Sequence, residues 1–159
     1  MRIALGTDHR GVKAGQILMK HLPEAGHEAV VLGPCSGEPC DYPDVSWLVG
    51  QAVATGDCQR GILICGAGIG ASIAANKVSG VRAALVHDEA AAELSRRHND
   101  ANVLCLAGDA LSDEQVRRIT DAWLAGPFDG GRHERRVRKI AAIELGQNPV
   151  EAVPDPAST

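Results

Sequence analysis

Two neighbouring residues, Asp8 and His9, offer the first chemistry in the sequence. They stand in the segment TDHRG, residues 7 to 11, directly after a short apolar run. An aspartate beside a histidine can pass protons and bind an anion. An aspartate before a helix is also commonly an N-cap, so the residues alone leave both interpretations open.

A thiol stands at the mouth of a glycine-rich turn. Cys65 ends a continuous apolar run and is followed by GAGIGAS, in which Gly66, Gly68 and Gly70 are evenly spaced. Such glycines let backbone N–H groups turn toward an anion, and the start of a helix adds partial positive charge. The spacing differs from the dinucleotide fingerprint GxGxxG, and no Lys-Ser/Thr pair follows as in a Walker loop. Cys65 is expected to have thiolate character and to act as a base or nucleophile, the alternative being a buried small hydrophobic residue.

A histidine and two arginines supply the third group. A histidine side chain titrates near neutrality, so His98 in the segment RRHND could exchange a proton with a ligand oxygen, although a lone surface histidine commonly has no such role. Arg132 and Arg136 are four residues apart, so on a helix they share one face and can grip a phosphate. The other basic residues of this segment are interpreted as solvated surface: Arg135, Arg138 and Lys139.

Composition limits the classes of partner. The chain has 159 residues, 45% of them hydrophobic, which predicts one domain with a proper core. Its 16 basic and 20 acidic side chains give a net charge of −4, which argues against a nucleic-acid or membrane partner. The N-terminal apolar stretch is too short for a signal peptide and no run is long enough to span a membrane, so a cytoplasmic location is expected. Five cysteines without a CxxC pair are expected to be thiols, Cys58 and Cys105 as buried hydrophobic residues: Cys35, Cys40, Cys58, Cys65 and Cys105.

The elements that must position these residues alternate along the chain. Apolar runs of strand length lie at Ile3–Leu5, Ala29–Leu32, Gly61–Cys65, Arg82–Val86 and Asn102–Leu106. Helical patterns lie at Lys13–Ala25, Val45–Thr55, Ala71–Lys77, Glu89–Arg97 and Asp113–Trp123, the last with Ser112 as N-cap, and at Arg132–Leu145. This order predicts an α/β fold, a Rossmann-like three-layer αβα sandwich with a five-stranded parallel sheet and a C-terminal helix. We expect one domain over residues 1–146, a flexible tail over 147–159, and a ligand at the carboxyl ends of the strands.

With these residues assembled, the chain closely resembles the type B ribose-5-phosphate isomerase family, which also includes galactose-6-phosphate and allose-6-phosphate isomerases. The matching segments occur in family order and at family spacing: GTDHRG, DYPD, ILICGAGIGASIAANKVSGVRAALVHD, SRRHNDANVL and GGRHERRVRKI. The resemblance implies an aldose–ketose isomerase of a small phosphorylated sugar that uses no metal or other cofactor. It also implies a homodimer or a tetramer made of two such dimers, with active sites at the subunit interface.

The resemblance assigns roles to individual residues. Cys65 matches the base that moves a proton between C1 and C2, His98 the group that assists ring opening, and Asp8 the group that handles hydroxyl protons. The remaining matches are ligands of the substrate: the amides of Gly66, Ala67, Gly68 and Gly70 with Asn99 for the enediolate oxygens, Tyr42 for the sugar, and His9, Arg132 and Arg136 for the phosphate. In the family the histidine and asparagine serve the site of the partner chain.

Two positions depart from the family pattern. Ala67 stands where the family usually has Ser or Thr, and Asp109 where many members have an arginine for phosphate. A carboxylate there repels a dianion unless it faces away, and we hypothesise that Arg10 compensates. Another branch uses a glutamate base just after the glycine loop, where this chain has Ala74 and Ala75, so Cys65 keeps that role. Tetrose and hexose phosphates, epimerisation through the same enediolate, and a non-catalytic binding module stay open as alternatives.

Overall fold

The sheet is built from five parallel strands. The computed structural model describes residues 1–33 and 38–154, so Cys35 lies outside the described residues. The strands are β1 (Arg2–Thr7), β2 (Glu28–Val31), β3 (Arg60–Cys65), β4 (Ala83–Leu85) and β5 (Val103–Ala107), in the spatial order β2-β1-β3-β5-β4. Every strand pair is parallel. The three central strands read as nearly continuous apolar runs because helices cover both of their faces.

Helices alternate with the strands. They are α1 (Val12–Glu24), α2 (Tyr42–Ala54), α3 (Ile69–Ala75), α4 (Glu89–Asn99), α5 (Asp113–Ala125), α6 (Arg132–Glu144) and the short α7 (Pro149–Ala152). Ser112 caps α5 as predicted, in a capping box: its hydroxyl accepts from the Gln115 amide while the Gln115 side chain accepts from the Ser112 amide.

The three-layer arrangement has a separate apolar core on each face of the sheet. One core packs α1, α4 and α5 against the sheet around Leu18 and Trp123. The other packs α2 and α3 around Val49 and Ala75, and Cys65 belongs to it. Successive strand residues point to opposite faces, so Ile64 faces the first core and Cys65 the second.

The topology creates a crevice at the carboxyl edge of the sheet. From β1 the chain moves to β2 on one side, whereas from the adjacent β3 it moves to β4 on the other side. Ligands of open α/β sheets bind outside the carboxyl ends of the strands at such a switch point. The loops after β1 and β3, which contain Asp8 and Cys65, therefore flank the predicted binding crevice.

The predicted elements are confirmed with shifted ends. Helix α2 begins at Tyr42, three residues before the predicted start, because Pro43 is favourable in the first turn of a helix. Helix α4 continues to Asn99, so His98 lies on the helix, and the left-handed residue Asp100 (φ 46°) ends it. The tail after residue 146 contains the unpredicted α7, which Asn148 caps through the Val150 amide. In the described part of the chain no helix is long and apolar enough to cross a membrane.

Candidate active site

The Cys65 thiol faces the glycine loop. Its Sγ accepts a hydrogen bond from the Gly68 amide at 3.2 Å, and the residue is 5% exposed. The loop can make this bond because Gly68 has a left-handed backbone (φ +74°), and a Cβ there would lie 2.4 Å from Leu85 and 3.1 Å from the Leu106 carbonyl. The sulfur thus sits at the strand end, held by the loop expected to stabilise an anion.

The loops after β1, β3 and β5 are tied together at the carboxyl edge. The Asp8 amide donates to the Ile64 carbonyl at 3.1 Å, and the Gly108 amide donates to the Cys65 carbonyl at 2.8 Å. Asp8 is 6% exposed, and its Oδ1 accepts from the amides of Arg10 and Gly11, both at 2.9 Å. These bonds close a turn before α1, whose N-cap is Gly11, so Asp8 is not the N-cap and its carboxylate is held beside the crevice.

An ion pair crosses the start of the glycine loop. Arg10 Nη2 contacts Asp109 Oδ2, and both side chains occupy the space where a Gly66 side chain would lie. The Arg10 guanidinium thus offsets the Asp109 carboxylate at the position where the sequence raised a conflict with phosphate. Ala67, the other departure from the family pattern, is exposed at the crevice.

His9 and Tyr42 complete this edge. His9 is exposed, and its Nδ1 accepts from the Cys40 amide at 3.5 Å. The Tyr42 ring, at the first turn of α2, lies against Gly70 so closely that a Cβ there would be 2.5 Å from Tyr42 Cζ. We call the group at this edge the carboxyl half-site: Asp8, His9, Tyr42, Cys65, Gly66, Ala67, Gly68 and Gly70.

His98 and Asn99 lie at the other edge of the sheet. They end α4, which starts at the carboxyl edge and runs back, and the Asn99 carbonyl accepts from Arg82 Nε at 3.1 Å just before β4 begins. Asn99 also lines a cavity of about 670 Å³ between this edge and α6. The length of β3 alone, five steps of about 3.3 Å, separates the edges by about 17 Å.

Helix α6 starts beside His98. The His98 and His133 rings stack with centroids 4.1 Å apart and planes 3° apart. Arg132 and Arg136 occupy adjacent turns of α6, are exposed, and have no ion-pair partner among the described residues. We call the second group the amino half-site: His98, Asn99, Arg132 and Arg136.

Sequence reasoning missed two residues of the amino half-site's surroundings, His133 and Asp129. His133 is buried; burial lowers its pKa, the positive charges of His98, Arg132 and Arg136 lower it further, and Asp129 opposes them. Hydrogen bonds from the Arg97 guanidinium lower the pKa of Asp129. The only sequence signal for His133 was its i,i+3 spacing to Arg136.

The same surroundings argue against a cation centre. Ligand atoms of His98, Asp129 and His133 lie within 4.8 Å of one another, as a metal site would require. However, Arg97 binds both oxygens of Asp129 at 3.2 Å, and Arg132 Nε donates to His133 Nε2 at 3.4 Å. These guanidiniums occupy the ligand atoms and repel a divalent cation.

The other core thiols differ from Cys65. Cys58 and Cys105 are 2% and 0% exposed, and burial raises the pKa of both. Their interpretation as buried hydrophobic residues is confirmed. Cys105 lies on β5 and pairs with Leu63, two residues before Cys65 on the neighbouring strand, so it provides a matched control for Cys65.

The fold and the thiol-bearing crevice define an α/β protein of the class that binds small molecules at strand ends. The family model described as Ribose/Galactose Isomerase matches residues 3–140, so the chain belongs to the ribose/galactose isomerase family. Like its relatives, it is an aldose–ketose isomerase of sugar phosphates.

Individual relatives agree with this assignment. The chain is 45% identical to ribose-5-phosphate isomerase B of Escherichia coli, over 92% of this chain and 99% of that protein. It is 37% identical to D-erythrulose-4-phosphate isomerase of Pectobacterium atrosepticum, over 91% and 95% of the two chains. Ribose-5-phosphate isomerase B of Clostridium thermocellum superposes with a TM-score of 0.90 at 44% identity, over 92% and 99% of the chains. The enzyme of Mycoplasma genitalium, solved with bound ribulose-5-phosphate, superposes with a TM-score of 0.86 at 43% identity, over 91% and 96%.

Proposed function

We propose that this protein interconverts ribose 5-phosphate and ribulose 5-phosphate, with Cys65 as the base that moves the proton between C2 and C1. The observation that carries the proposal is the hydrogen bond from the Gly68 amide to Cys65 Sγ at the strand-end crevice. It places the Cys65 sulfur next to the backbone N–H groups of the glycine loop, and formation of an enediolate needs a base beside such donors.

The proton transfer needs no cofactor in this arrangement. The thiolate removes the C2 proton of the open-chain aldose while the electron pair moves onto the C1 carbonyl oxygen. Loop amides from Gly66 to Gly70 stabilise the resulting enediolate, and removing one such donor typically costs about 10²–10³ in rate. The Cys65 thiol then returns its proton to C1, the proton of O2 passes to O1, and the carbonyl forms at C2, which gives the ketose.

Ring opening must come before this step, because ribose 5-phosphate is mostly a closed ring. We assign to His98 the proton given to the ring oxygen and to the Asp8 carboxylate the acceptance of the proton from the anomeric hydroxyl. The amides of Arg10 and Gly11 donate to Asp8 Oδ1 and fix the orientation of the carboxylate. Asp8 and His98 belong to opposite half-sites, so one chain cannot bring both to one sugar.

We infer that the active unit is a homodimer in which the carboxyl half-site of one protomer meets the amino half-site of its partner. A twofold axis then forms two equal sites, since each contact occurs twice. Exposed apolar residues accompany both half-sites: Ile69 and Ile73 on α3 are 55% and 58% exposed, and Ile140 and Ile143 on α6 are 43% and 60% exposed. Apolar surface of this kind is suited to burial between protomers.

The phosphate is assigned to a cationic pair. Arg132 and Arg136 are exposed, one helical turn apart and without an ion-pair partner in the described ranges, whereas nearby Arg96 and Arg97 are tied to carboxylates. Two guanidiniums at this spacing can bind one phosphate from two sides. His9 joins them from the opposite half-site. Arg10 keeps the neighbouring Asp109 from repelling the dianion.

A second candidate is a four-carbon sugar phosphate. It is favoured by the relative named D-erythrulose-4-phosphate isomerase and by Ala67 and Asp109, the two departures from the family pattern. In this case the same thiol and loop act, and ring opening loses its importance because a 4-phosphate leaves no hydroxyl that closes a five-membered ring.

The test is a coupled assay over four-, five- and six-carbon aldose phosphates with wild type, Cys65→Ala and Cys105→Ala. We expect the highest kcat/KM for ribose 5-phosphate and a loss of at least about 10³ for Cys65→Ala with KM little changed. Cys105→Ala removes a sulfur from the neighbouring strand and should keep its kcat. A Cys65→Ala protein with full kcat would show that another residue is the base.

NMR in deuterated water separates isomerisation from epimerisation. Isomerisation moves the carbonyl from C1 to C2 and places deuterium on the carbon that receives the proton. Epimerisation inverts a stereocentre without moving the carbonyl. An epimer as the product would overturn the proposed reaction. The role of Cys65 as the base would then still be tested by Cys65→Ala and Cys105→Ala.

A further inference from the structure

His133 supports the proposed ring-opening acid through direct ring contact. Its imidazole lies parallel to that of His98, with planes 3° apart and centroids 4.1 Å apart, so it covers one face of the His98 ring. His98 is half-buried at the end of α4, whereas His133 is 7% exposed. Of the two rings, His98 is therefore placed to reach a substrate and His133 to hold its neighbour.

The His133 ring is itself fixed. Arg132 Nε donates to its Nε2 at 3.4 Å, which makes Nε2 an acceptor and leaves the ring proton on Nδ1. Burial and the neighbouring charges of His98, Arg132 and Arg136 lower the pKa of His133, with Asp129 opposing them. A neutral His133 does not repel the protonated form of His98.

A second contact restrains the same helix end. Arg97, the residue before His98, donates through Nε to both oxygens of Asp129 at 3.2 Å, and through Nη1 to Glu93 at 3.1 Å. The Asp129 amide also donates to the Arg97 carbonyl at 3.0 Å. The backbone of His98 is thus tied to the segment that leads into α6, and the stacked ring of His133 then determines the side-chain orientation.

We propose that His133 is a positioning residue, which by stacking holds the His98 imidazole in the orientation that gives a proton to the sugar ring oxygen. The inference rests on the proposed function of this protein. In the step concerned, the C1–O bond of the ring breaks, its electron pair stays on the ring oxygen, and that oxygen takes the proton from His98. The proton of the anomeric hydroxyl goes to the Asp8 carboxylate, which leaves the open-chain aldehyde.

The experiment compares a ring-dependent readout with a ring-independent one. Ribose 5-phosphate must open before it reacts, whereas ribulose 5-phosphate has no free hydroxyl that closes a five-membered ring on C2. Exchange of a C1 hydrogen of ribulose 5-phosphate with deuterated water therefore reports proton transfer at Cys65 without ring opening. We expect His133→Ala to lower kcat/KM for ribose 5-phosphate about tenfold or more, and to change the exchange rate less than about twofold.

Two further variants separate positioning from a general loss of structure. His133→Phe keeps a flat ring against His98 and should recover most of the loss, whereas a folded but inactive His133→Phe protein would overturn the inference. In a His98→Ala background the added His133→Ala change should cost nothing further, because the residue acts through His98. A loss of equal size in both backgrounds, or equal losses of conversion and exchange, would also overturn it.

One readout does not need the substrate. NMR relaxation of the His98 ring should show a more mobile side chain in His133→Ala and a side chain about as rigid as wild type in His133→Phe, with melting temperatures as the folding control. An equally rigid His98 ring in His133→Ala would sink the inference even if the isomerase activity is as proposed. Wild-type protein without exchange or conversion would instead refute the proposed function.

Discussion

The carboxyl and amino half-sites are built from different materials. The carboxyl half-site consists of a thiol, backbone amides and a carboxylate already bonded to its own loop, and its nearby cation Arg10 is tied to Asp109. The amino half-site presents a histidine and two arginines without ion-pair partners in the described part of the chain. Proton transfer at carbon needs fixed dipoles around a developing oxyanion, whereas a phosphate needs cationic donors that no carboxylate already occupies. We infer that the carboxyl edge carries the proton transfer at carbon, whereas the amino edge supplies the ring-opening acid and two of the three phosphate ligands.

The largest expected effect comes from recombining the half-sites. Cys65→Ala and His98→Ala chains, each nearly inactive, should form a heterodimer with one intact site and one doubly defective site. The purified two-tag heterodimer is therefore expected to regain about half of the wild-type kcat, since one of two symmetric sites is whole. Two differently tagged Cys65→Ala chains provide the control and should stay inactive. A heterodimer without activity would argue against sites shared between protomers.

The next effect tests the phosphate assignment. Arg132→Ala should raise KM about 10- to 100-fold, because a charge-assisted hydrogen bond contributes about 1.5–3 kcal/mol. Arg138, also exposed on α6 but outside the proposed pair, gives the matched control Arg138→Ala, for which we expect little change. Inhibition constants for inorganic phosphate should follow the same order. If Arg132→Ala and Arg138→Ala raise KM equally, α6 attracts the phosphate only through its total positive charge.

A smaller effect is expected at the carboxyl half-site. Arg10→Ala leaves the Asp109 carboxylate without its partner beside the glycine loop, so KM should rise about three- to tenfold with kcat nearly unchanged. Adding Asp109→Asn should remove most of that increase, since the repelling charge is then gone. If the double variant has a KM as high as that of Arg10→Ala, Arg10 binds the phosphate directly.

The smallest effect concerns stability at acid pH. The pKa of His133 is lowered in the folded chain, so below about pH 6.5 the unfolded chain binds a proton that the folded chain resists, and stability is lost as the pH falls. His133→Phe should lose less of its melting temperature between pH 7.5 and 5.5 than wild type. His27, whose pKa is also lowered, is kept in both proteins. If the melting temperatures of wild type and His133→Phe fall equally between pH 7.5 and 5.5, protonation of His133 is not the cause of the acid sensitivity.

Much of the fold could be predicted because local patterns agree with the final packing. Continuous apolar runs predicted β1, β3 and β5, and the Ser112 capping box marked the start of α5. Element ends were less predictable. Helix α4 continues past the predicted Arg97 to Asn99, where a left-handed Asp100 held by Arg82 and Arg96 ends it. That ending depends on two arginines whose contacts no local pattern reveals.

The candidate site shows the same division. Cys65 and its glycine loop follow from sequence because a strand, a turn and a helix start are adjacent in the chain. His133 could not be found in this way, because its importance comes from a ring that is 35 residues earlier in the sequence and 4.1 Å away in space. The ion pair of Arg10 with Asp109 likewise joins loops that follow different strands.

The sequence by itself determined the chemical inventory and the order of strands and helices, since both depend on residue type and on spacing of a few positions. Only the tertiary structure decided that the inventory is divided between opposite edges of the sheet. The physical reason is direction: α4 runs antiparallel to the strands and carries His98 about 17 Å from the edge where β3 delivers Cys65. The groups that the sequence lists together thus lie at opposite edges of one folded chain, which is why we propose that two protomers share each site.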